Sequence, residues 1–459
     1  MAGCREVSYC FQFEERYRGI NVELVCHGRV QMEKKKWVEA LVVALLSICW
    51  GVQVCFAGGF ALYQGSARGN ALEGTLVGRG DDPSAIFFNP AGITQLPGLQ
   101  AEAGATVFLP SLEITTQFGG QTTTTRMVDN AWVTPNLYST YQFSENVWFG
   151  LGVFSQFGLG TEFDGNWPGR YNGYEGVIQS LTFNPNIAVK LNDHFSAAVG
   201  IDVIWFDFLL KQKIDASRQF DPDVTAFDVD QSLKGDSFGY GFNLGLHYKP
   251  AEWMAIGLSY RSQVKVNATG DAVFIKPAGV PGLENLFNNT EVNGSIRLPD
   301  MLFTGIMFKP VDRLSIEFDA VLTRWNTFDQ LSFTYAKDPF SGTGNPFTVT
   351  SPRNWHDAWR YALGVEYRAL DWLDLRASYV YDETPDPAEF INYLTPINDA
   401  QAVSLGPGFH WKNWTVDISY TFVFGSDRHV PARPAEGVLE SEIKDLREHL
   451  IGLSVAYRF

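Results

Sequence analysis

The sequence predicts an all-β chain, a fourteen-stranded antiparallel transmembrane β-barrel with an N-terminal hatch plugging its lumen. Three observations predict it. Apolar and polar residues alternate with period 2 through residues 100–459, the connections between runs alternate short and long, and a Gly-rich segment without an apolar stripe comes before the first run. Composition agrees. Aromatic residues make up 14% of the 459 residues, and 13 Trp and 35 Phe need a place to be buried. Mean hydropathy is −0.08, too low for a bundle of membrane helices.

The first 31 residues are mixed in charge and show no pattern, and Met32 opens a complete export signal by itself. Residues 1–31 are therefore read as an extension from an upstream start. In 32–57, Lys34, Lys35 and Lys36 precede an apolar run, and Cys55-Phe56-Ala57 places small residues before a cut at Gly58. This is the layout of a secretory signal peptide, with a membrane anchor as the alternative. All five cysteines lie before residue 58, so no disulfide framework, thiolate nucleophile or cysteine metal site is expected in the exported chain. Past residue 57 there remain 28 basic and 45 acidic residues, a net charge of −17 that argues against a nucleic-acid partner.

Residues 58–99 are rich in Gly and small residues and end in Asn89-Pro90-Ala91-Gly92 before Leu99. Such a segment forms no core of its own. A flexible linker is the alternative reading, but Phe60, Leu62, Leu72, Ile86, Phe87 and Phe88 are more apolar than a solvated linker allows. The segment is expected to pack inside the barrel formed by 100–459.

In that barrel, Leu314, Ile316, Phe318 and Ala320 share one face opposite Ser315, Glu317 and Asp319, and Phe242, Leu244, Leu246 and Tyr248 form another apolar face. A β-sandwich would alternate too, but many runs reach ten residues, the length a tilted membrane strand needs. Six short turns, at 144–146, 192–194, 250–252, 310–312, 370–371 and 412–413, alternate with seven long segments near 109–129, 158–176, 214–235, 268–292, 333–354, 382–400 and 425–445. Thirteen connections join fourteen strands, with short periplasmic turns and long outer loops. Phe143, Trp148, Phe195, Trp253, Trp372, Trp411 and Trp414 cluster at the short turns and are read as an interfacial girdle. The last strand ends on Phe459, which resembles the signal read by the outer-membrane assembly machinery.

The chain resembles the long-chain fatty acid and aromatic hydrocarbon transporters of Gram-negative outer membranes (FadL/TodX-type) from about Gly58 to Phe459. The resemblance rests on Asn89-Pro90-Ala91, on 156–163 (QFGLGTEF), on Leu298-Pro299-Asp300, Thr323-Arg324-Trp325 and 357–364 (DAWRYALG), and on 381–385 (YDETP). It implies passive uptake of a hydrophobic molecule that is caught among outer loops, enters a lumenal pocket and leaves sideways into the membrane at an inward kink in the third strand. It also implies that Asn89, Pro90 and Ala91 touch that kink and that Gly158 and Gly160 lie near it. Read from the dipeptide alone, Asn89-Pro90 is equally a turn signal.

Fatty-acid transporters of this kind tend to carry a cation on strand five, where this chain has Asp207. Neutral and anionic ligands are therefore expected to bind alike. Arg324, His356 and Arg360 are the candidate substitutes, with a lumenal salt-bridge ladder as the alternative. Phe220 and Phe227 in the third outer loop, and Leu283, Leu286 and Phe287 in the fourth, are read as an apolar capture surface, the last three on a short helix over 282–287. Contact between loops is the competing reading.

No cofactor or metal is expected. The expected partners are a hydrophobic small molecule, outer-membrane lipid and the assembly machinery, and the barrel is expected to be a monomer. A general porin would need an open lumen. A lipid-modifying enzyme would need a catalytic set, and the six histidines after residue 57 are scattered with no triad spacing.

Overall fold

Along the strands every second residue points out of the molecule, and that face is apolar. In the segment 238–247, Phe238, Tyr240, Phe242, Leu244 and Leu246 are all exposed, while Asn243, Gly245 and His247 are buried inside. This inverts the pattern of a water-soluble sheet and is what lipid on the outside demands. The structure, a computed structural model, describes residues 58–217 and 220–459. The expected extension 1–31 and signal peptide 32–57 lie outside the described residues.

The described residues form fourteen antiparallel barrel strands: β1 Leu99–Phe118, β2 Trp132–Gln142, β3 Val147–Phe154 continued by Gly158–Glu162, β4 Glu175–Lys190, β5 Phe195–Asp215 and β6 Asp228–Ala251. There follow β7 Met254–Arg261 with Val264–Ile275, β8 Thr290–Leu298 with Met301–Val311, β9 Leu314–Thr323 with Gln330–Tyr335, and β10 Phe347–Pro352 with Ala358–Leu370. The last four are β11 Leu373–Asp382, β12 Ala400–Trp411, β13 Trp414–Gly425 and β14 Glu440–Arg458. Each pairs with its sequence neighbour, and β1 pairs with β14 from Gln100↔Arg458 to Gln117↔Glu440, which closes the barrel. Several strands run past the lengths read from alternation. The β5–β6 hairpin stays paired out to Asp215↔Asp228, so much of the expected third loop is strand.

The segment 58–98 fills the lumen. It contains two short helices, α1 (Ala67–Ala71) and α2 (Ala85–Phe88), and a 3-10 turn, Pro90–Gln95. Ser66 caps α1 by accepting from Gly69 N, and Asn89 caps the 3-10 turn by accepting from Ala91 N. Arg261 of β7 donates to the carbonyls of Ile86 (2.9 Å) and Phe87 (3.0 Å) at the end of α2, where a cation suits the free carbonyls. The hatch lies so close to the wall that a Cβ on Gly257 would stand 1.8 Å from Val77 O.

Buried ion pairs fasten the hatch. Arg68 meets Asp81 (2.7 Å), Asp82 (2.7 Å) and Glu366 of β10 (3.0 Å). Arg79 pairs with Glu317 of β9 (3.1 Å), which also accepts from Gly78 N (2.6 Å). Glu366 in turn pairs with Arg376 of β11 (2.7 Å), which reaches Asp417 of β13 (2.6 Å). Burial alone would lower the Arg68 pKa, yet the carboxylates of Asp81, Glu366 and Asp82 hold it well above its ordinary value.

The girdle needs one correction. Phe143, Phe195, Trp253, Trp372, Trp411 and Trp414 are exposed, but Trp148 is buried and its Nε1 donates to Leu96 O at 2.7 Å. Its position on β3 points it inward, so it ties the end of the hatch to the wall.

Candidate functional site

The wall has a break. β2 and β3 are paired from Gln142↔Trp148 to Asn136↔Phe154. Beyond Phe154, the continuation of β3 pairs with β4 alone, from Gly158↔Gln179 to Glu162↔Glu175. The facing residues of β2, Trp132 to Pro135, keep only β1 as partner. Farther out the gap is closed by Val128 N donating to Glu162 O (2.8 Å) and Asn130 Nδ2 to Glu162 Oε2 (2.7 Å). A window about four residues long remains in the sheet.

Backbone groups freed by the break find other partners, as buried polar groups must. Leu62 N donates to Gln156 O (2.8 Å), Gly158 N donates to Phe60 O (2.9 Å), and Ser180 Oγ accepts from Phe157 N (2.9 Å). The hatch meets the kink through Phe60, Ala61 and Leu62. Asn89 does not do so. Its Nδ2 donates to Val77 O and to Leu246 O of β6, both at 3.0 Å, so in place of the expected contact with the kink Asn89 meets β6, three strands away.

A cavity of about 430 Å³ opens at the window. Its inner wall includes Tyr63, Arg360 and Asp382, and its lining continues to Val133, Pro135, Leu181 and Trp205, whose positions on β2, β4 and β5 face lipid. It therefore passes through the wall. Gly158 and Gly160 both line it. The Trp132 indole stands across the opening against Gly160, where a Cβ would lie 2.1 Å from its Cε2. Only glycine leaves room for that ring. The Trp132 Nε1 is buried without a hydrogen-bond partner among the described residues.

A second, smaller cavity of about 80 Å³ lies above, lined by Phe206, Phe208, Phe328, Phe333 and Leu394, with Arg353 in its wall. Phe60 faces this upper cavity while Ala61 and Leu62 face the lower one. The residues between Gly59 and Leu62 are thus a partition. Phe60 is held by rings, with centroids at 4.6 Å from Trp325, 5.7 Å from Phe328 and 5.8 Å from Trp355.

The expected cations are dispersed. Arg360 lines the lower cavity but is occupied by Glu73 (2.6 Å) and Asp382 (3.0 Å) and stacks over Tyr63, in keeping with a lumenal ion-pair ladder. Arg324 is half-exposed and pairs with Asp300 at 3.5 Å, and His356 is exposed. Asp207 stands opposite Asp236 and is absent from the cavity lining, since on β5 it is Phe206 and Phe208 that point inward. Arg353 was missed because it sits in a break of β10, where alternation no longer tells inside from outside. Its Nη1 donates to Ser351 Oγ (3.1 Å).

The expected capture surface is altered as well. Residues 282–287 form turns, with positive φ at Gly282 (88°) and Phe287 (52°), which a helix excludes. Leu283 and Phe287 are buried, and Phe287 packs on Phe274 and Phe340. That is contact between loops. Leu286 is half-buried, Phe220 lies against Tyr171 and Phe118, and Phe227 is exposed.

Residues 48–459 match the profile of the family described as outer membrane protein transport protein (OMPP1/FadL/TodX). The chain is 27% identical over 420 residues to a long-chain fatty acid transport protein of Escherichia coli O6:H1, covering 84% of this chain and 90% of that one. It is 26% identical to a 47 kDa outer membrane protein of Pasteurella multocida, covering 92% and 99%. Among solved structures it superposes on a Pseudomonas aeruginosa FadL homologue (TM-score 0.73, 18% identity, 88% and 99% covered) and on the Ralstonia pickettii toluene transporter TbuX (0.64, 18%, 88% and 99%). These superpositions establish the shared fold.

Proposed function

The chain belongs to this family of outer-membrane transport barrels of Gram-negative bacteria, and from that premise we propose that it passes a hydrophobic small molecule passively and releases it sideways into the membrane. One observation carries the reading: the hatch fills the axis while the lower cavity runs through the wall at the β2–β3 break. The named relatives carry long-chain fatty acids or toluene, both apolar enough to leave through lipid. A ligand enters the upper cavity, displaces the partition at Phe60, occupies the lower cavity and departs between Trp132 and Gly160. No step makes or breaks a covalent bond, so the reading is of a channel and not an enzyme.

Arg353 in the upper cavity favours a ligand with an anionic end over a plain hydrocarbon, which revises the expectation of equal binding drawn from Asp207. Gly158 and Gly160 belong to the exit in this reading, and Asn89 holds the hatch in place.

The exit is tested by closing it. With the five native cysteines all before residue 58, a Thr134→Cys substitution gives one thiol at the window. A bulky maleimide there should abolish uptake of a fluorescent fatty acid into cells, while the unlabelled variant keeps it. Undiminished uptake after complete labelling would rule out the window as the route.

A further inference from the structure

Lys265 of β7 and Arg297 of β8 are register partners, directly opposite each other on the outer face. Both are exposed, and neither has an ion pair or side-chain hydrogen bond among the described residues. Like charges facing each other across two strands repel, and with no acid between them the arrangement weakens the sheet. It stands out in a chain whose described part is strongly acidic.

Its height supplies the explanation. Met254 and Phe308 are partners near the short turns, and Lys265 and Arg297 each lie eleven residues farther out along their strands. At roughly 3.3 Å per residue and a tilt of about 40°, that is about 28 Å, just past an apolar band of about 25 Å. The strand beside Lys265 carries the exposed Phe242 and Tyr240 up to the height of Lys265, where Gly239 approaches the Lys265 carbonyl. The next pair outward is neutral, with Ser295 Oγ donating to Asn267 Oδ1 at 3.1 Å. Arg324, just past the β9 segment Leu314–Thr323, adds a third exposed cation, partly met by Asp300. The nearest acids of β7 and β8 farther out, Asp271 and Glu291, are six residues beyond the pair.

We propose that Lys265 and Arg297 form a binding site for the phosphate of an outer-leaflet glycolipid, its acyl chains lying along Tyr240, Phe242 and Leu302 from the height of the pair downward. A phosphate between the two cations removes their repulsion and accepts from both, Arg in a bidentate fork and Lys as a point charge. A lipid headgroup, unlike a free anion, is held at this height by its own chains.

The test uses the purified full barrel in detergent, diphosphoryl lipid A, its dephosphorylated form and inorganic phosphate, read by native mass spectrometry. Diphosphoryl lipid A should bind, and the Lys265→Gln/Arg297→Gln variant should bind it at least tenfold more weakly. Dephosphorylated lipid A should bind both proteins equally weakly, and millimolar inorganic phosphate should not displace the lipid. Heat-modifiable gel migration checks that the variant is folded, and since the pair lines neither of the two cavities described, uptake of a fluorescent fatty acid should be unchanged. Equal binding of diphosphoryl lipid A by a folded variant overturns the site. Displacement by inorganic phosphate overturns the lipid as its occupant.

Discussion

The two ends of the hatch are held by different physics. From Arg68 to Leu96 the segment is fixed by charge, through Arg68 and Arg79 to Glu317 and Glu366, and by the Trp148 bond at its end. From Gly59 to Leu62 it is held by two backbone bonds to the kink and by the rings around Phe60. An ion pair in the lumen cannot be released without stranding a buried charge, whereas an apolar ligand can replace the contacts of a phenyl ring one for one. The comparison teaches which part moves: the charged part stays and the aromatic part yields.

The comparison breaks most visibly at Arg79. Arg79→Ala leaves Glu317 buried and unpaired, and the loss should be about 3–5 kcal/mol of hatch stability. The barrel should still migrate as folded on a gel, while liposomes swell in small sugars that the native protein excludes. Replacing both partners, by Arg79→Met and Glu317→Gln, should recover most of the loss. Next in size, Phe60→Ala removes a buried ring and should cost about 3 kcal/mol locally. It should join the two cavities, so that a fatty acid enters faster and is retained less tightly in stopped-flow fluorescence.

At the window, Gly160→Ala forces the Trp132 ring to shift, with a cost of about 1–3 kcal/mol. Uptake of a bulky pyrene-labelled fatty acid should change more than that of a linear one. In the upper cavity, Arg353→Ala should erase a preference for a fatty acid over its methyl ester. A tenfold preference corresponds to about 1.4 kcal/mol, and equilibrium binding of the two ligands measures it.

The smallest effect is a pH dependence in the outer loops. Burial lifts the Asp386 pKa from 3.8 to about 7, against the pull of Arg428, Arg353 and Arg433. Because the folded-state value lies above the ordinary one, this contribution is complete below pH 3.8 and is lost as pH rises through about 7. Once corrected for intrinsic exchange rates, hydrogen exchange in 383–399 should show less protection at pH 8 than at pH 5, and Asp386→Asn should flatten the difference.

The barrel was legible because lipid and lumen impose opposite chemistry on alternate residues, so Phe318 and Glu317 declare their faces without a structure. The strand count followed from turn lengths for the same reason. What sequence could not show was where alternation fails. Trp148 looks like its girdle neighbours but falls on the inward parity of β3. Arg353 sits in a strand break, and Phe287 is turned into its loop by a positive φ. Asn89 was expected at the kink and is instead a partner of β6, because hatch-to-wall contacts leave no period in the sequence.

Those contacts also bear on how the molecule is built. The bonds from Gly78 and Arg79 to Glu317 join residues 239 and 238 apart, and the bond from Ala67 N to Ser454 Oγ spans 387. Such long closures form late. The hatch is the first described part of the chain, yet its contacts require β9, β10 and, through Ser454, β14. Since β14 also seals against β1, the strand that closes the wall is also the one that holds the first helix of the plug.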